Sequence, residues 1–151
     1  MNINFFDNQL DNYFTKYNEN KNEIDKHIEH INYYETHINY LIIIKTEIDK
    51  IINNIQDIFI KEYINNYSND LYTKLNNYRM INDTTEGTIL LYKYYISCYE
   101  HNINNSKQNI ETIQQNIYEI NKQKKRYIRW SNNNKDYNKL FEINLNNILD
   151  N

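Results

Sequence analysis

Proline is absent from this 151-residue chain, glycine occurs once, at Gly87, and alanine and valine are missing altogether. So few turn formers exclude a fold of many short strands joined by tight hairpins, and long helices with few connections remain. Cysteine is nearly absent as well. Cys98 stands alone, so no internal disulfide can form, and a reduced intracellular compartment is expected. Long apolar runs are lacking: the longest aliphatic run is "LIII" at Leu41–Ile44, against the roughly 20 residues that span a bilayer. The opening "MNINFFDNQLDNYF" carries Asp7 and Asp11 and has neither a basic start nor an unbroken apolar stretch, so no secretory signal is expected. Charge imbalance is small: 20 acidic against 17 basic residues leave a net charge of −3 and no global pull toward nucleic acid.

Catalytic machinery is scarce too. A phosphate-cradling loop needs several glycines. Ser68, Ser97, Ser106 and Ser131 lack the small neighbours of a nucleophile elbow. Cys98 and His101, three apart on one helix, could place a thiol near an imidazole, but no third residue orients the pair. His27 and His30, with Glu23 one turn earlier, have the spacing of metal ligands on a helix. His37 lies about 10 Å further along, too far to share an ion, and no paired Glu-x-x-His pattern is present. The expectation is therefore no enzyme, no metal, no cofactor and no small-molecule substrate.

What is abundant is Asn, about a fifth of the residues, together with Ile, Lys and sixteen Tyr. That bias fits an extremely AT-rich genome and makes weak motifs cheap, the Asn-x-Ser/Thr triplets at Asn66, Asn82 and Asn104 among them. Spacing is more informative than composition. Stepping by three and four from Ile89 visits Tyr92, Ile96, Tyr99, Ile103, Ser106, Ile110, Ile113, Ile117, Ile120, Lys124 and Tyr127. A 3.5-residue period keeps one narrow stripe against a partner helix, as in a left-handed coiled coil. It predicts a helix over 88–130, about 60 Å long.

The expected partner is upstream, on a stripe of Ile24, Ile28, Ile31, Tyr34, Ile38, Leu41, Ile44, Ile48, Ile51, Ile55 and Ile58, widened by Ile42, Ile43, Ile52, Phe59 and Ile60. A stripe that broad predicts contact with more than one neighbour. Tyr67, Leu71, Leu75 and Tyr78 either extend that helix or begin a second one at Ser68. "INDTTEG" at Ile81–Gly87 is expected to turn the chain, with Asp83, Thr84 and Thr85 offering N-cap chemistry. Ile3, Phe6, Leu10, Tyr13 and Tyr17 predict a short helix over 3–17, in phase with the next one, so that "NENKN" at 18–22 is either a break or one polar turn. A break at Asn132–Asn134 and a short helix over 135–149 carrying Leu140, Phe141, Leu145 and Ile148 complete the reading. The expected fold is all-α, one domain over 1–151: a long antiparallel helical hairpin of 23–80 and 88–130, coiled-coil-like, with shorter N- and C-terminal helices packed bundle-fashion.

One segment carries a candidate partner interface. "KQKKRYIRW" at Lys122–Trp130 supplies Lys122, Lys124, Lys125, Arg126, Tyr127, Arg129 and Trp130. Basic side chains interleaved with aromatics suit phosphate contact and base stacking, or an anionic membrane surface. Helix-end packing is the competing reading, since cations complement the C-terminal dipole and their stems cover apolar flanks. The two long helices and the Lys/Arg-rich run ending in Trp, "KKRYIRW", resemble the small coiled-coil stalk proteins of flagellar and type III export systems. That resemblance implies an adaptor; helical subunits of tethering, kinetochore or virion assemblies share the same features. The function expected is a structural or adaptor protein that docks by helix packing, through protein partners or self-association. Nucleic-acid or membrane binding through 122–130 is the alternative.

Overall fold

The structure is a computed structural model that describes residues 3–63 and 69–149, with side chains described for 3–61 and 69–135. The described residues form two long helices packed against each other, α1 (Ile3–Tyr63) and α2 (Asn69–Leu149). They divide into two compact units, each built from a segment of both helices. The terminal unit comprises 1–23 and 105–151, and the central unit 24–104.

Burial follows a strict heptad in both helices. On α1 the buried and half-buried positions include 6, 10, 13, 17, 20, 24, 27, 31, 34, 38, 41, 45, 48, 52, 55 and 59. On α2 the same alternation of three and four runs from Leu71 through Leu75, Tyr78, Asn82, Thr85 and Ile89 to Tyr127, Ser131 and Asn134. All twelve positions of the stripe from Ile89 to Tyr127 lie on this seam. An unbroken seven-residue period keeps one edge of each helix facing the other, which is why both continue for so many turns.

That continuity corrects two expectations and decides between two readings of 18–22. Residues 81–87 are helical, not a turn. Thr84, Thr85 and Thr88 send their hydroxyls back to the carbonyls of Met80, Ile81 and Thr84, at 2.8, 2.8 and 3.0 Å, instead of capping a new helix. Gly87 sits on the solvent side with nothing within 4 Å of a built Cβ, so its cost is about 1 kcal/mol of helix propensity. Seam contacts at Thr85 and Ile89 outweigh that. Residues 18–22 are one polar turn of α1, not a boundary after a short helix, and Asn20 holds the seam there by bonding to the Lys16 carbonyl and to Asn109. Asn132–Asn134 likewise continue α2, with Ser131 and Asn134 in phase, so 135–149 is the end of α2. The hydrophobic contacts expected of Leu140, Phe141, Leu145 and Ile148, and the start expected at Ser68, lie outside the described residues.

Two clusters form the cores. In the terminal unit Phe6, Leu10 and Ile120 pack together, flanked by Tyr13, Ile117 and Tyr127. As α1 residues ascend from Asp7 to Asn20, their α2 partners descend from Lys124 to Asn109. In the central unit Ile48, Ile52 and Leu75 pack with Ile44, Ile55 and Tyr78. There His27, Tyr34, Asp49 and Phe59 meet Tyr99, Tyr92, Asn82 and Tyr72 in turn. No described side chain is fully enclosed; a two-helix seam has no third wall to finish the burial.

The upstream stripe is displaced from its expected course. His27, Lys45, Ile52 and Phe59 occupy the seam where Ile28, Ile44, Ile51 and Ile58 were expected. Ile44 stays half-buried beside it, and Ile28, Ile51 and Ile58 are exposed.

Candidate interaction surfaces

The seven residues of the basic–aromatic segment split between two sides of α2. Lys124 and Tyr127 are seam residues. The Lys124 ammonium donates to an Asp7 carboxylate oxygen, and the Tyr127 ring lies 5.8 Å from Phe6. Lys122, Lys125, Arg126 and Arg129 project the other way, since spacings of three, four and seven share a helix face. With Tyr118 and Asn121 they line a shallow cleft of about 250 Å³. Lys122 is engaged locally, 3.6 Å from Glu119 and 5.9 Å from the Tyr118 ring centroid. Lys125, Arg126 and Arg129 meet no carboxylate among the described residues. Trp130, one place off the seam, is 61% exposed and 6.0 Å from the Tyr127 ring. Tyr118 belongs to this face although its number falls outside the segment; its spacing of four from Lys122 was the available signal.

The central unit has two unlike flanks. One edge of its seam is polar: Lys45 sits 3.5 Å from Asp49 and 4.0 Å from Glu86, and Asn82 donates to Asp49 at 2.8 Å. Over 33–58 and 77–98, with Glu35, Arg79, Asp83 and Lys93, that edge carries six charged side chains beyond the seam itself, among which Ile42 and Leu90 are exposed. The other edge, over 33–58 and 77–98, runs through His37, Ile44, Ile51 and Ile58 on α1 and Ile81, Thr88 and Tyr95 on α2. Tyr33, Tyr40, Leu91 and Cys98 extend it outward. Its one formal charge is Glu47, which is neutralised by Lys50 at 2.7 Å. Ile58, Ile81 and Leu91 stand 44–47% exposed there. Apolar residues repeating at sevens beside a seam widen the stripe toward a further helix.

Aromatic rings link the two helices in the central unit. Tyr34 approaches Tyr92, Tyr95 and Tyr99 at 5.0, 5.5 and 6.1 Å, and Tyr99 also contacts His27 and stacks on His30 at 5.1 Å. His37 lies 4.0 Å from Tyr33. Desolvation, followed by the neighbouring phenols Tyr99, Tyr95, Tyr33 and Tyr92, pushes the Tyr34 phenol above its usual range. A hydrogen bond with Cys98, and the charge that thiol can carry, push Tyr94 the same way. His27 and His30, the spaced pair of the sequence, thus pack against a ring. His27 Nδ1 is enclosed without a hydrogen-bond partner. No group of three or more His, Cys, Asp or Glu among the described residues could hold a metal ion. Cys98 and His101 are both exposed.

No helix among the described residues is long and apolar enough to cross a membrane. Comparison with protein-family models, curated proteins and solved structures finds no match.

Proposed function

We propose that this chain is a non-enzymatic structural or adaptor protein, folded as an antiparallel hairpin of α1 and α2, that docks by helix–helix packing into a larger intracellular assembly. The observation that carries this reading is the low-charge flank of the central unit. Over 33–58 and 77–98 that edge carries Ile44, Ile51, Ile58, Ile81 and Leu91 and one neutralised carboxylate, the pattern of a bundle helix short of a neighbour. The opposed order of partners within each unit supports the hairpin. A lone cysteine supports a reducing compartment. Catalysis has little to work with on this surface: the cleft beside Lys125 is shallow and open, and a substrate pocket is ordinarily concave and mostly apolar.

The test is a tagged full-length chain carrying Ile51→Glu, Ile81→Glu and Leu91→Glu, compared with the wild type by affinity capture from native lysate and by light scattering. The wild type should form an oligomer or retain a defined protein. The triple variant should keep its circular dichroism and lose the association, because the substitutions place three carboxylates on solvent-facing positions that the seam does not need. A wild-type chain that stays monomeric at every concentration and captures no protein ends this reading.

A further inference from the structure

We propose that the outward face of α2 from Tyr118 to Trp130 is a binding site for single-stranded nucleic acid, read through its phosphodiester backbone. The site is independent of the docking flank in the central unit. Lys122, Lys125, Arg126 and Arg129 spread over about 10 Å of helix axis and around its outward side, where each can meet a phosphate of a strand laid across them. Cations inside a helical bundle are ordinarily satisfied by carboxylates across the seam, as Lys124 is by Asp7. Among the described residues Lys125, Arg126 and Arg129 meet none, and between 118 and 130 the only acidic residue is Glu119, already 3.6 Å from Lys122. The charge distribution reinforces this. The terminal unit has 10 basic and 9 acidic residues, whereas the central unit has 7 and 11, so the chain's acidity lies in the unit that does not carry this face.

Two large rings border the cations. Tyr118, 63% exposed, lies at one end of the cleft, and exposed Trp130 lies beyond Arg129. Planar rings beside a cationic strip are what a single strand with unstacked bases uses; a duplex hides its base faces. A bilayer would need a broad apolar face to enter the acyl boundary, and among the described residues beside these cations Trp130 is the one large apolar ring that is exposed apart from Tyr118. Here the residues among the cations are Asn121 and Gln123, and Ile117 and Ile120 are committed to the seam while Ile128 is half-buried.

The full-length chain is titrated into a fluorescein-labelled 20-nucleotide oligo(dT) between 20 and 200 mM salt and followed by anisotropy. Parallel arms use the same-length dA·dT duplex and vesicles of phosphatidylcholine with 30% phosphatidylserine. Oligo(dT) should bind, with log K falling against log salt at a slope of about −2, the value for three uncompensated cations on a single strand. Lys125→Gln/Arg126→Gln/Arg129→Gln should abolish binding with unchanged circular dichroism, since all three side chains are exposed. Tyr118→Ala should weaken it about tenfold and leave the slope unchanged. No binding at 20 mM salt, binding that survives the triple substitution, or tighter binding to duplex or vesicles than to oligo(dT) would each overturn the proposal.

Discussion

In the terminal unit the seam is closed by Phe6, Leu10 and Ile120, and the solvent side of α2 carries Lys122, Lys125, Arg126 and Arg129. In the central unit the seam admits Lys45 and Asn82, and one of its flanks shows Ile51, Ile58, Ile81 and Leu91 to water. The heptad is the same in both, so the difference lies beside it. A seam specifies that two helices pair. The residues outside it set the character of each unit's remaining surface, cationic on α2 of one and aliphatic along a flank of the other.

The comparison can be broken most forcefully at matched seam positions. Leu10 and Ile52 are equally covered, 9% exposed each, one in each unit. Replacing either by Asp buries a carboxylate without a partner and should cost about 4 kcal/mol. For a chain of this size that lowers the thermal midpoint by about 10 °C, measured by circular dichroism. If Leu10→Asp cost under about 1 kcal/mol while Ile52→Asp showed the full loss, the two seams would not be equivalent.

A smaller effect of opposite sign sharpens the account of the central unit. Gly87→Ala should raise stability by about 1 kcal/mol, because the added methyl meets open space and the helix gains propensity. A destabilised Gly87→Ala would show that residues 81–87 do not persist as helix in solution.

The smallest effect is confined to alkaline conditions. The folded chain favours the neutral Tyr34 phenol, so its folded pKa lies above its unfolded one. The associated stability is intact below about pH 10. As pH rises past the unfolded pKa, the unfolded chain ionises first, and stability is lost progressively until the folded pKa is passed. Tyr34→Phe should therefore flatten the alkaline limb of a denaturant midpoint-versus-pH profile and leave neutral pH almost unchanged. An alkaline limb identical in the two proteins would contradict the burial assigned to Tyr34.

Much of α2 was legible because its seam between Ile89 and Tyr127 uses Ile and Tyr at ten of twelve positions, with Ser106 and Lys124 as the only interruptions. The course of α1 was less legible for a physical reason. Ile is so frequent that stepping from one Ile to the next drifts off the heptad at Ile28, Ile44, Ile51 and Ile58, and the true seam passes through His27 and Lys45. Polar side chains hold seam positions when a partner satisfies them, as Asp49 and Glu86 do for Lys45, and no single-helix pattern reveals that partner. Gly87 and its threonines misled in the same way: they are cap chemistry in isolation and hydroxyl back-bonds once the helix continues. At 122–130 the residue types were visible, but separating Lys124 and Tyr127 from the outward cations required applying the seam's phase to the charges as well.

The Lys45–Asp49–Glu86–Asn82 set has one more effect, on alignment. Sliding α2 by one heptad against α1 would keep some pairings, since Ile89, Ile96, Ile103 and Ile110 lie seven apart, but would exchange Asn82 for Leu75 or Ile89 and Thr85 for Tyr78 or Tyr92. It would also part Asn82 from Asp49 and Lys45 from Glu86, contacts between partly exposed side chains worth about 1 kcal/mol together. Four hydrophilic side chains thus act as a notch that reinforces the one offset at which the uneven apolar pattern of the two helices also fits.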